Sequence, residues 1–231
     1  MIFGEFATRD ALGLILAHAV KLPDGRLPKG HILGHDDLAR LVQAGVQSVI
    51  ACRREEDDLG EDEAAERCAF AIDPENMSLT PASTGRVNFH ATCNGLFIAD
   101  RGVVDAFNRI DPAITLACLA DHSDVRVGDL VATIKIIPLA VAERSVEAAR
   151  AVLSSGRPFR LNAYTPRSVD LIATELPSLK VSVMDKTARV LEHRLKPSGS
   201  RLVREQRVAH RADAVAAAIE KALRRDEKRQ I

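Results

Sequence analysis

The sequence predicts an α+β N-terminal region, residues 1–166, followed by a partial α/β region of parallel βαβα type, residues 167–231. Three observations carry this reading. The stretch from Val169 onward alternates strand, helix, strand, helix: VDLIAT, TARVLEHRL, RLVREQRV, HRADAVAAAIEKAL. The stretch before it holds short apolar runs separated by Gly and Asn turns, the pattern of antiparallel pairing. Pro166 punctuates the join.

The elements follow in order. ALGLILAHAV is an early strand or short helix, ended by the turn LPDGRLPKG. Asp36 or Asp37 can cap a helix DLARLVQAG that stops at Gly45, and VQSVIAC follows as a buried strand. The acidic run EEDDLGEDE leads into the helix AAERCAFAI, where the helix dipole favours its charges without a metal. Asn94-Gly95 reads as a hairpin turn between LTPASTGRVNFHAT and LFIAD. RGVVDAFNRI is a helix, and Gly128-Asp129 reads as another turn between paired strands. VEAARAVLSSG is a helix stopped by Gly156, and FRLNAYTPRS is a strand with its connector. The mixed-charge tail RRDEKRQI reads as a frayed helix end.

Composition narrows the function. The chain has 231 residues with 32 basic and 32 acidic side chains, so it carries no field for nucleic acid or an anionic membrane. Hydrophobic residues make up 46% but aromatics only 3%, so the core is built from Ala, Val, Leu and Ile. Cys52, Cys68, Cys93 and Cys118 form no zinc spacing and sit singly in apolar strings, which points to a reducing, cytoplasmic setting. No apolar run is long enough to span a bilayer.

Several residues are candidates for chemistry. Asp185, Lys186 and Thr187 place a carboxylate, an ammonium and a hydroxyl near a helix N-terminus, where an anion or a metal-bound phosphate can sit. The same triplet, with Ser182, also serves as a plain cap. Thr174 stands at the carboxyl end of the first parallel strand, the end at which such sheets place ligands. Thr84-Gly85-Arg86-Val87-Asn88 offers Arg86 and Asn88 for an oxyanion, or is simply a turn entering a strand. Lys135 in LVATIKIIP is a buried contact or the outward member of an alternating strand. His31 and His35 with Asp36 and Asp37 lack a clear third metal ligand.

The motifs LIAT, MDKT, VLEHRLKPSG and VREQRVAHRAD resemble the opening of the molybdopterin-binding domain of molybdenum-cofactor biosynthesis proteins, both adenylyltransferase and insertase types. Asp185 and Thr187 match that family's Asp and Thr, and Leu195 and Gly199 match its helix end. Glu175 replaces the family's strand-end Gly, and Val208-Ala209-His210-Arg211 replaces Val-Pro-Asp-Asp. The family's later Gly-Gly-x-Ser and Gly-Met loops would fall beyond Ile231, so a longer native protein is expected. GRVN, NRIDPAITLA and VATIKIIP are similar to the front of longer bacterial molybdopterin-binding proteins.

The resemblance implies molybdenum-cofactor biosynthesis or handling. It implies molybdopterin bound by Thr174, Asp185, Lys186, Thr187, Arg86 and Asn88. Asp185 would be the catalytic residue and Mg²⁺ ligand of a nucleotidyl or molybdate transfer, with a nucleotide as second ligand. Two alternatives stand beside it. One is a non-catalytic delivery module serving a molybdoenzyme or a partner nucleotidyltransferase. The other is an unrelated small lyase built on the VGDLVATIKIIP strands. Two parallel strands alone make too little sheet, so the C-terminal region is expected to be completed by a docked N-terminal region, a homodimer or further chain.

Overall fold

A computed structural model describes residues 1–224 and the backbone of residues 229–230. The first unit runs from β1 (Ile2–Ala7) through β2 (Ile15–Leu16), β3 (Val20–Leu22), β4 (Gly25–Leu27) and α1 (His35–Gln43) to β5 (Ser48–Arg53). Strands β1 and β2 flank β5 and pair with it antiparallel, while β3 and β4 form a small hairpin. Leu14, Leu16, Leu33, Leu41, Val49 and Ala51 pack as one core. Most of ALGLILAHAV is neither strand nor helix; Ile15 and Leu16 pair with β5, and Val20 opens β3. Loop bonds such as Leu16 N–H to His31 O (2.9 Å) and Leu33 N–H to Leu14 O (2.9 Å) satisfy its backbone instead.

The second unit holds β6 (Asp58–Gly60), α2 (Glu61–Ala69), β7 (Met77–Leu79), β8 (Arg86–Ala91), β9 (Gly95–Ala99), α3 (Arg101–Asn108), β10 (Ile114–Cys118), β11 (Ser123–Val125), β12 (Leu130–Ile136), β13 (Ala140–Ala142), α4 (Glu143–Ser155) and β14 (Phe159–Ala163). One antiparallel sheet runs β10-β12-β8-β7 and a second runs β11-β9-β14. Strand β8 alternates as a half-buried strand should: Val87, Phe89 and Ala91 are buried, Asn88 and His90 less so. The Phe159 ring meets Phe89 edge-on at 5.3 Å and stacks on Phe97 at 5.6 Å, which joins the two sheets.

Two expected hairpins are absent. Strands β8 and β9 enter different sheets, as do β11 and β12. At Gly95 a Cβ would lie 2.4 Å from Asn162 O, so glycine there serves close strand approach by β14 rather than a tight turn. Asn94 accepts the Val127 N–H (3.0 Å) and donates to Pro197 O (2.8 Å), tying three segments together. Gly128 donates to Ala91 O (2.8 Å), bonding its loop back to the end of β8.

The C-terminal unit comprises β15 (Ser168–Glu175), α5 (Val181–Leu195), β16 (Arg201–Ala209), α6 (Ala212–Leu223) and β17 (Arg229–Gln230). Strand β15 pairs parallel with β16 over its whole length, and with β17 through Ser168 and Val169. The third strand thus comes from Arg229–Gln230, where the sequence suggested a helix end; residues 225–228 and 231 lie outside the described residues. Helix α5 starts at Val181 rather than near Lys186, so the Asp185 triplet sits within the helix instead of capping it. Only Val169, Met184, Ala218 and Ala222 of the described apolar side chains here are buried. The architecture is mixed helix and sheet, and most of its sheets are antiparallel.

Gly85 generates a test of the fold. Its φ is +69°, a Cβ would lie 2.7 Å from Ile136 O, and its carbonyl accepts the Ile136 N–H (2.7 Å). Gly85→Ala is expected to destabilise by about 2–3 kcal/mol, read by urea unfolding. Phe159→Ala should cost about 3–5 kcal/mol by the same measurement, because its ring fills the seam between two sheets.

Candidate functional site

Successive residues of an extended strand point to opposite faces. On β15, Leu171 borders a groove with Val183, Lys186, Thr187 and Val190 of α5. Thr174 lines another with Ala212, Val215 and Ile219 of α6. Ala173 pairs across the ladder with Arg207, whose guanidinium reaches Asp185 on α5. The two helices therefore cover opposite faces, and Thr174 and the Asp185 triplet do not share one cleft.

Each member of the triplet has local business. Asp185 accepts a hydrogen bond from Arg207, which also donates to Glu205 (2.7 Å). Glu205 first and then Asp185 push the Arg207 guanidinium far above its ordinary pKa. The Thr187 hydroxyl donates back to Val183 O (3.0 Å), a bond internal to the helix. Lys186 is exposed. Asp185 fits a Mg²⁺ ligand poorly, because its carboxylate already neutralises a guanidinium and no group of three His, Cys, Asp or Glu gathers among the described residues.

The Thr84–Asn88 segment is held as structure. Gly85 N–H donates to Asp62 Oδ1 (2.7 Å) at the start of α2, so the acidic run anchors a turn. Burial raises the neighbouring Glu61 carboxyl above its usual range, with Lys29 opposing. Asn88 Oδ1 accepts the Thr133 hydroxyl (2.8 Å), and Arg86 is exposed and does not line the cleft at Thr174. Lys135 is half-buried between buried Ile134 and Ile136, as strand alternation predicts. His31 Nε2 lies 2.7 Å from Asp37 Oδ2, and Asp37 also accepts the Gly34 N–H (3.0 Å).

What the structure does assemble is a cleft of about 450 Å³ at the carboxyl end of β15. Thr174 Oγ1 lies 3.0 Å from His210 Nδ1. Arg211 follows as the N-cap of α6; its side chain has no acceptor for the first N–H groups, and the Asp213 carboxylate accepts those of Asp213 and Ala214. Arg211 forks instead onto Asp213, holding that carboxyl below its usual range. Hydroxyl, imidazole, guanidinium and helix N-terminus converge from two chain segments, a set suited to an anionic oxygen group. His210 and Arg211 occupy the turn where the sequence departs from the pterin-family pattern. Their position immediately after a second parallel strand was the only signal that could have found them.

The model of a family described as a domain of unknown function (DUF8806) matches residues 5–53, nearly all of the β1–β5 unit and well under half of the chain. Comparison with curated proteins and with solved structures returned no match. No helix among the described residues is long and apolar enough to cross a membrane.

Asp37 generates a pH prediction. The Gly34 N–H, and then His31, hold its carboxyl below the usual range against the opposing effect of burial. A depressed folded pKa gives stability that is present above the unfolded value, about 3.9, and lost as pH falls through the folded value. Asp37→Asn should therefore lower the melting temperature at neutral pH. It should also shrink the loss of stability below about pH 4, read by thermal unfolding across pH.

Proposed function

We propose that this chain binds the phosphate-bearing pterin cofactor molybdopterin at the carboxyl end of β15, in handling of the molybdenum cofactor. The observation that carries this reading is the Thr174–His210 contact beside the start of α6, where Arg211 stands. It lies at the carboxyl end of β15, beside β16, while β17 meets β15 only at Ser168 and Val169. Crevices outside the carboxyl ends of parallel strands are where open α/β sheets take ligands. The resemblance of LIAT, MDKT and the following Gly to the opening of the pterin domain supports the same assignment.

In this reading the cofactor phosphate meets the Thr174 hydroxyl, His210, Arg211 and the Ala212 N–H. Arg211 exchanges Asp213 for the ligand. Binding and delivery fit better than transfer chemistry, because Asp185 is committed to Arg207. A nucleotide, a partner nucleotidyltransferase or a second copy belongs to the delivery step. Four free cysteines suit a cytoplasmic setting for that work.

Calorimetric titration with a pterin monophosphate, with AMP and with inorganic phosphate tests this. Thr174→Val and Arg211→Ala should each weaken the pterin phosphate about tenfold, the worth of one bond to a charged group. Thr187→Ala should leave affinity unchanged. Equal affinity in the first two variants, or a loss in Thr187→Ala, would place the ligand elsewhere.

A further inference from the structure

We propose that the groove between α5 and β15 docks an acidic amphipathic helix of a partner protein. The observation is a trough along this helix whose floor is apolar and whose rim is cationic. Val183, Val190, Leu191 and Leu171 form one stretch of about 470 Å³ with Lys186 and Arg194 at its edge. A second stretch of about 250 Å³ continues it between Arg189, Val190, His193 and Arg194. From Val183 to Arg194 the trough spans roughly 16 Å, about three helical turns.

Some arginines of the chain are held by carboxylates: Arg40 by Asp24, Arg67 by Glu143, Arg126 by Asp124, Arg157 by Asp73. Lys186, Arg189 and Arg194 meet no carboxylate among the described residues. Asp185 and Glu192 share one flank of α5 at helical spacing, with Arg189 between them, while Lys186 and Arg194 stand on the side of Val183 and Val190. Val183, in the first turn of α5, and Val190 are 47% and 39% exposed although the helix packs on a sheet. Unpaired cations around exposed valines leave both charge and apolar area unsatisfied on one face.

An acidic helix satisfies both. Its apolar stripe covers Val183 and Val190, and carboxylates one turn apart reach Lys186, Arg189 and Arg194. Nucleic acid fits less well. The trough has no Phe, Tyr or Trp on which bases could stack, and the chain's charges balance overall. The trough opens on the α5 side of β15 and Thr174 on the α6 side, and a groove lined by Leu171, Leu191, Val215 and Ile219 runs between them.

Fluorescence anisotropy with a labelled synthetic helix, Leu on one face and Glu along its flanks, tests the proposal on the full chain. The control is the same helix with Lys for Glu. The acidic helix should bind about tenfold tighter than the control, and added NaCl should weaken it. Lys186→Glu combined with Arg194→Glu should abolish that preference, with the melting temperature and pterin-phosphate affinity retained. Equal binding of both helices, an affinity indifferent to charge reversal, or preference for an oligonucleotide or anionic vesicles over the acidic helix would overturn it.

Discussion

Strand β15 carries neighbours on both edges, and the rest of the C-terminal unit follows from that constraint. A crossover between parallel strands is right-handed. Moving from β15 to β16 and then back to β17 on the other side sends α5 over one face and α6 over the other. The faces then separate the functions of their side chains. Leu171 and the Asp185–Arg207 pair belong to α5. Thr174, His210 and Arg211 belong to α6 and open at the strand end. A one-residue slip in the β15 register would exchange the two sets, because side chains alternate along a strand.

The contrast with the antiparallel region explains why the open grooves lie here. There, Phe89, Phe97 and Phe159 lock two sheets together and α2 and α4 bury their alanines against them. Buried aromatic and aliphatic surface of that kind contributes roughly 25 cal/mol per Å², more than exposed ion pairs of at most about 1 kcal/mol each. Among its described residues the C-terminal unit has only four buried apolar side chains, two of them alanine, and leaves valines of α5 in solvent. Its polar residues therefore decide its local geometry: Asp185 with Arg207, Ser200 with Arg167 N–H, Thr187 with its own helix.

How much of this was legible in the sequence differs by element. Helices α1 to α4 and strand β5 stand out through local periodicity and Gly stops, which neighbours in the chain supply. The sheet membership of β8 and β9 was not legible, because Asn94-Gly95 carries the same letters whether it turns a hairpin or admits β14 at close range. The Thr84–Asn88 motif looked like an oxyanion turn because the carboxylate that fixes it, Asp62, lies far back in the chain. Of the candidate site, Thr174 was visible from its place at a strand end. His210 and Arg211 were not, since their role depends on a contact between segments. The Asp185 triplet was misplaced because α5 begins at Val181, a turn earlier than expected.

The account rests on the carboxyl end of β15 as the ligand end. Amide chemical-shift mapping of the ¹⁵N-labelled chain during titration with a pterin monophosphate tests it most directly. The account predicts saturable shifts centred on Thr174, His210, Arg211 and Ala212, with Lys186, Thr187 and Arg86 unmoved. Shifts centred on the α5 triplet or on the Thr84–Asn88 turn, or none at saturating ligand, would contradict it.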